Sequence, residues 1–289
     1  MKKFLLVLMA TVATAAAAQT QVYGRVNATA DSTKVGNVTT NGMINDTSHV
    51  GFRVTEDLGR GLRATAVIET AVGTHDPVSS ADTRLGDRQS TVGLSSRMGS
   101  VNIGRSVHSQ FVAISDNDSF KTMYGSVAGD IHNLRGLRMS NGVFLTVSPV
   151  KGIAAAWNRT HTNTGAEASA YSVSGKLGPA QVTAARFEQG QEKSTVVGAN
   201  LTVAGNGVFY SYSDNEGTAK KAGHLVGVSR QLGAVTVKGS YGRTNTDVKA
   251  YNVGMDYALS KRTSAGVAYR SVSAASDTRQ VGVGLTHLF

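Results

Sequence analysis

From residue 19 almost to its last residue the chain alternates apolar and polar side chains with a period of two, the pattern of extended strands with two unlike faces. In "VKAYNVGMDY" (residues 248–257), Tyr251, Val253, Met255 and Tyr257 share one face and Ala250, Asn252, Gly254 and Asp256 the other. "STVVGANLTV" and "VTVKGSYG" alternate in the same way. One face is apolar; the other is small, polar or charged. A soluble sheet would bury its apolar face against a second apolar layer, and too few apolar residues remain to build one. Residues 48–71, "SHVGFRVTEDLGRGLRATAVIETA", sharpen the point. Val50, Phe52 and Val54 fall on one face, while His49, Gly51, Arg53 and Thr55 fall on the other, where a soluble sheet would place its core. Beyond "EDLGRG" the charged face continues through Arg63, Thr65, Val67 and Glu69. The wet side of these strands is the inside.

The connectors alternate between two kinds. Short glycine-bearing turns such as "SSRMGS", "VAGNG" and "RQLGA" take turns with longer polar loops, the first three at 31–47, 72–87 and 106 to about 137. Seven turns and eight loops join sixteen strands and leave both ends on the turn side. Lipid offers no partner for an unpaired backbone group, so a strand-only chain with an apolar outer face must close on itself. The pattern predicts an all-β fold, a sixteen-stranded antiparallel transmembrane β-barrel with short periplasmic turns and longer outer loops. Sixteen strands enclose water, whereas eight would be filled by side chains.

Residues 1–18 read as a secretory signal peptide: Lys2 and Lys3, an apolar stretch over 4–12, then small residues ending in Ala16-x-Ala18. Residues 19–289 then form one domain. No stretch is long and apolar enough for a membrane-spanning helix. The absence of cysteine excludes disulfides and thiolate metal sites. The formal charge of +10 falls to about +8 without the two leader lysines, and the basic residues are scattered singly, which argues against a nucleic-acid partner. Candidate catalytic groups are the neighbours His75 and Asp76, His108 and Ser109, and the pair Asp116 and Asp118. Sequence neighbours do not make a triad, which needs groups that converge in space. The seven histidines show no metal-ligand spacing. The reading is a non-enzyme without cofactor or metal, and its rivals are a substrate-specific channel and a surface adhesin or structural barrel.

Four stretches, in order along the chain, carry a resemblance: "VYGRVNATAD", "SHVGFRVTEDLGRGLRA", "DRQSTVGLSSRMGSVNIGR" and the terminal "VGVGLTHLF". Together they resemble the general porins of Gram-negative outer membranes, most of all the β-proteobacterial type. The resemblance implies a homotrimer in the outer membrane, each barrel with its third outer loop folded into the lumen. It implies a water-filled channel for passive diffusion of small hydrophilic solutes and inorganic anions, in contact with membrane lipid and lipopolysaccharide. It also implies a basic pore wall of Arg25, His49, Arg53, Arg88 and Arg135 or Arg138, faced by Asp116 and Asp118 on the third loop. Phe289 would be a terminal signal read by the outer-membrane assembly machinery. The third loop lacks the family's Pro-Glu-Phe-Gly-Gly stretch and carries "ISDNDSFKTMYGS" instead.

Strand phase adds Arg63, Lys238, Arg270, Glu69 and Asp256 to the lumen. It sets Arg243, Lys249 and Arg279 outward near loop ends, and leaves Arg105 between pore wall and loop anchor. Gln89, Thr91 and Gly93 are expected outward, a face polar enough for a subunit contact.

Overall fold

A computed structural model describes residues 18–74, 84–134, 136–161, 167–217 and 220–289; the leader over 1–18, save Ala18, lies outside them. The first strand, β1 (Gln19–Val35), is followed by β2 (Val38–Ile44), β3 (His49–Gly59), β4 (Leu62–Ala71), β5 (Gln89–Ser96) and β6 (Gly99–Val107). Two helices, α1 (Ser109–Asp116) and α2 (Ala128–Ile131), lie in the third outer loop. The wall resumes with β7 (Arg138–Val150), β8 (Ile153–Thr160), β9 (Ala168–Leu177), β10 (Ala180–Gln189) and β11 (Glu192–Val203). It ends with β12 (Asn206–Glu216), β13 (Lys221–Leu232), β14 (Val235–Thr244), β15 (Lys249–Ala258), β16 (Thr263–Ser273) and β17 (Thr278–Leu288).

All pairings are antiparallel and, apart from those of β1 with β3 and β17, join neighbours in sequence; β17 returns to pair with β1 from Arg25↔Leu288 to Val35↔Thr278. The outer half of β1 pairs with β2 and its periplasmic half with β3. These two segments are one interrupted strand of the wall, so seventeen segments make sixteen strands of a closed barrel. The expected loop over 31–47 is therefore corrected. Its residues extend the first hairpin, which turns tightly at Gly36, where φ is +56°, a conformation glycine adopts without strain. Where the ladder breaks, side chains take over its hydrogen bonds. The Asn27 N–H donates to Ser48 Oγ (2.8 Å), Ser48 Oγ donates back to the Asn27 carbonyl (3.1 Å), and the Asp46 N–H donates to Asn27 Oδ1 (3.1 Å).

The polarity is inverted as the alternation requires. Outward Val253, Val283 and Leu285 are 56%, 60% and 57% exposed, whereas inward Asn252 is 1% exposed. One phase expectation fails. Gln89, Thr91 and Gly93 sit opposite Glu69, Val67 and Thr65 and so point inward, leaving Ser90, Val92 and Leu94 outside. The apolar pair Val92 and Leu94 takes the lipid side, as the alternation of the neighbouring strands requires, and the polar face turns to the lumen.

The third loop is folded into the barrel. α1 packs on β8–β11 and α2 on β13–β15. Ile114, Val127, Ala128 and Ile131 of the loop form a buried cluster with Val196, Leu225, Ala250 and Val272 of the inner wall. Burying each large side chain contributes roughly 1.5–3 kcal/mol, so the loop is docked by a small hydrophobic core of its own. Two glycines allow the close approach: a Cβ on Gly242 would lie 2.4 Å from Ile131, and one on Gly254 2.9 Å from Phe120. His108 caps α1 by accepting the Phe111 N–H (3.2 Å) and stacks on Phe187 with ring centroids 4.8 Å apart.

At the seam Phe289 extends the ladder, exchanging backbone hydrogen bonds of 3.1 and 3.2 Å with Gly24. Its ring lies where a Gly24 side chain would be, 2.3 Å from an added Cβ. Deleting Phe289 is expected to slow barrel closure markedly without changing the final β content. Folding into lipid vesicles followed by gel mobility checks this, and unchanged kinetics would contradict it.

Candidate functional site

The inner faces of β1 and β3–β7 carry a cluster of cations that outnumbers its carboxylates, Glu69 and Asp87. Glu69 on β4 accepts from Arg88 Nε at 2.7 Å and from the Tyr23 hydroxyl at 3.1 Å, with His49 Nε2 3.8 Å away. The Arg53 guanidinium lies 5.1 Å from the Tyr23 ring centroid, a cation–π contact that holds it against the wall. Arg138, which opens β7, lies within electrostatic reach of Arg88, Arg105, Glu69 and Asp87. Arg105 donates to the Asp87 carbonyl and to Ser140 Oγ, so it anchors the second outer loop to β7. Arg63 is exposed on the same inner face near the periplasmic turn, opposite Asp57. Glu69 is thus not a free acid on the pore wall; arginine and histidine side chains surround it. Arg25 is in register with His49 across β1 and β3, and its guanidinium turns to Asp46, 3.5 Å away, and to Met123 of the third loop.

The loop facing this wall differs from the expectation. Asp118 is fully buried. Its carboxylate accepts the Phe120 N–H (3.1 Å), the Thr122 N–H (2.8 Å) and the Ser126 hydroxyl (2.7 Å), so it holds the loop's turn and offers nothing to the lumen. Asp116 is exposed, with Lys121 Nζ 3.9 Å from its carboxylate. Alternate acids in "SDND" look equivalent in sequence, and the winding of the loop separates them. Arg135 lies outside the described residues, as do His75 and Asp76.

Groups that strand phase left unmarked, Tyr124, Asp130 and His132, fasten the loop together with Arg270 and Lys238, which it placed in the lumen. The Tyr124 N–H donates to Asp46 Oδ2 (2.9 Å) and its hydroxyl donates to Asp31, pinning the loop tip to the first hairpin. Burial and the adjacent Asp31 carboxylate push the Tyr124 phenol well above its usual range. Asp130 pairs with Arg270 at 2.7 Å, yet burial outweighs Arg270 and Lys221 and raises its carboxyl. His132 is buried between Ser213 and Ser211, each 2.8 Å from a ring nitrogen. Lys238 bridges Asp256 at 2.7 Å and lies 4.6 Å over the Phe120 ring.

Two recesses adjoin the loop. One of about 260 Å³ is lined by Arg25, Met123, Tyr124, Lys238 and Asp256. The other, of about 380 Å³ beside α1, is lined by hydroxyl and amide side chains such as Asn102, Asn158, Ser172 and Gln181 together with apolar ones such as Phe144 and Val112. Among the described residues no group of His, Asp and Glu is placed to hold a metal ion.

This arrangement, a polar lumen narrowed by a docked loop inside a lipid-facing barrel, is that of a channel. The sequence pattern of the family described as Gram-negative porin matches residues 5–277. The chain belongs to the Gram-negative porin family. The major outer membrane protein P.IB of Neisseria meningitidis is 33% identical over 115 residues, 36% of this chain and 34% of that protein, so the match spans about a third of the curated relative. The anion-selective porin from Comamonas acidovorans superposes with a TM-score of 0.79 at 20% identity, over 94% of this chain and all of that one. OmpF of Salmonella typhi gives 0.74 at 16% identity, over 93% and 97% of the two chains. The porin is an outer-membrane β-barrel channel, and its family and fold are those of non-enzymatic channels.

The docked loop of the porin carries a pH dependence. Burial first, then Lys221 and His224, push the His132 imidazole down to about 3 from an ordinary 6.5. An undocked His132 binds a proton below about 6.5, so its contribution to docking is complete above that pH and is lost as pH falls toward 3. Asp130, with its raised carboxyl, acts in the opposite sense. Amide exchange over 127–134 is expected to be faster at pH 4 than at pH 7 once corrected for intrinsic rates, and His132→Asn should remove most of that difference. Equal protection at both pH values in the wild type would contradict the assignment.

Proposed function

We propose that the porin conducts small hydrophilic solutes by passive diffusion and prefers inorganic anions. The observation that carries this reading is the cluster of Arg53, Arg88, Arg105 and Arg138, with His49, around two carboxylates, Glu69 and Asp87. On the facing loop Asp118 is buried and Asp116 has Lys121 Nζ 3.9 Å away, so among the described residues the loop sets no row of free acids against the wall. A narrow aqueous passage between low-dielectric walls focuses such a field and raises the local concentration of the opposite ion. The anion-selective character of the Comamonas relative supports the same sign.

A homotrimer, a leader removed after Ala18, recognition of Phe289 by the assembly machinery and contact with lipopolysaccharide complete the reading. The Vibrio cholerae relative OmpT, described in a trimer form, supports the first of these (TM-score 0.73, 11% identity). Unheated gels of the detergent-extracted porin should show a heat-modifiable trimer; a native monomer alone would contradict it.

Selectivity is tested by reversal potentials in planar bilayers under a KCl gradient. The wild-type pore should favour chloride clearly in dilute salt and less in concentrated salt, because the Debye length shrinks from about 10 Å at 0.1 M to about 3 Å at 1 M. Replacing Arg53, Arg88 and Arg138 together by serine should move the reversal potential toward cations with the barrel intact. Arg25 is left in place because Asp46 already opposes it. Cation preference in dilute KCl, or an unchanged potential in the triple variant, overturns the assignment.

A further inference from the structure

The lumen has a second lining whose chemistry differs from that of the arginine wall. Beneath α1, the recess of about 380 Å³ is bounded on one side by the helix and on the other by the inner faces of β6–β10. Strand register builds its back wall. Asn102 on β6 is opposite Phe144 on β7, Thr146 is opposite Ala156 on β8, and Ala156 is opposite Ser172 on β9. Ser174 is opposite Thr183 on β10, and Gln181 follows on the same face. Ala154 and Gln181 stand one residue inside their short turns, so the recess lies in the periplasmic half of the barrel. Alanine, serine and threonine on β8–β10 leave the space under the helix open.

The polar groups of this recess are unengaged. Among the described residues the side chains of Asn102, Thr146, Ser172, Ser174, Gln181 and Thr183 make no hydrogen bond to another protein group, although each residue is half-buried. Ser109 Oγ, at the start of α1, is buried in the lining without a partner. Elsewhere around the loop comparable groups are bonded: Asn200 Nδ2 donates to Asn117 Oδ1 at 3.2 Å, and Ser119 Oγ lies 2.8 Å from Ser240 Oγ. Charge is nearly absent as well. Asp116 is the one ionisable group in the lining, whereas the recess of about 260 Å³ across the loop contains Arg25, Asp46, Lys238 and Asp256. Apolar surface completes the site, with Val112 of α1 45% exposed and Ala154 and Ala156 on the wall.

We propose that the recess beneath α1 is a binding site for a neutral polyhydroxylated solute of monosaccharide size, filled by solutes on their way through the channel. The inference rests on the reading of the porin as a passive channel for small hydrophilic solutes and adds a saturable step to it. The lining selects the class. Serine and threonine hydroxyls and the asparagine and glutamine amides both donate and accept, as sugar hydroxyls do. Groups without a protein partner in a half-closed site favour the solute that supplies one. The C–H faces of a pyranose ring meet Val112 and the two alanines, so both characters of a sugar find a counterpart. A small anion finds no cation in this lining, and an apolar solute leaves its hydroxyls and amides unbonded. The volume lies within the range of roughly 300–1,000 Å³ common to small-molecule sites.

The test titrates D-glucose against the ion current of the porin in planar bilayers at constant KCl. Tetraethylene glycol, of similar size but with ether oxygens in place of most hydroxyls, is the comparison. Glucose should lower the current along a saturating curve with its half-effect at roughly 1–10 mM, the level of a ligand of that size at ordinary efficiency. The glycol should give only the linear decline of a more viscous solution. Asn102→Ala combined with Ser172→Ala and Gln181→Ala removes three hydrogen-bonding groups that hold no other residue, and should raise the half-effect for glucose by about tenfold or more. Ala156→Leu, which fills the recess from the wall, should abolish saturation. Conductance and reversal potential without sugar report the channel and its ion preference separately, so a failure of that reading is told apart from a failure of this one. A linear decline with glucose in the wild type, an equal saturating effect of the glycol, or an unchanged half-effect in both variants overturns the site.

Discussion

Every other feature of the molecule follows from the absence of hydrogen-bond partners in hydrocarbon. A backbone N–H or C=O left open on a strand edge in lipid costs several kcal/mol, so the sheet must end where it began. That condition accounts for the seam between β1 and β17 and for the terminal ladder rung between Phe289 and Gly24. It also accounts for the side chains that fill the gap between β2 and β3. Asn27 and Ser48 are nearly fully buried because they complete the ladder where backbone cannot.

Closure inverts the usual polarity and takes away the interior apolar core. The third loop restores a small one. Its two short helices carry apolar residues that find partners only on the inner wall of β11–β16, and small residues such as Gly242 and Gly254 let the loop lie flat there. Tyr124 and His132 then fix the loop at two separate points. The channel cross-section is therefore set by side-chain packing inside the barrel, and the arginine wall of β3–β7 is the part the loop leaves uncovered.

Charge in this barrel has different meanings in different places. On the loop it is structural: Asp118 is spent on backbone N–H groups, and Asp130 is held by Arg270 against its own burial. Toward the lumen most cations have a carboxylate beside them, as Arg88 has Glu69, Arg25 has Asp46 and Lys238 has Asp256, while Arg53 and Arg138 form no ion pair among the described residues. On the outer face it is paired close by, Arg159 with Glu167, Arg186 with Glu188 and Arg243 with Asp247.

Period-two alternation is a local property, and residues 248–257 show it without help from any neighbour, so the strand class, the inverted faces and the inward phase of Arg53 could all be read directly. The alternation of short turns and long loops added the strand number and the side on which both ends lie. In β5 only two apolar residues, Val92 and Leu94, mark the outer face, and pairing with β4 agrees with them in turning Gln89 and Thr91 inward. Residues 31–47 were polar enough to look like a loop, and only partners on both sides of β1 made them strand. The site was less legible than the fold. Nothing local distinguishes Asp116 from Asp118, and nothing marks His132 as the residue that sits between Ser211 and Ser213. Those roles arise when a loop closes over a wall distant in sequence. The sequence alone therefore determined which face of each well-patterned strand is wet, since side-chain direction follows from backbone geometry. Tertiary structure decided which charges remain free in the passage, because that depends on contacts between segments up to some 140 residues apart, such as Asp130 with Arg270.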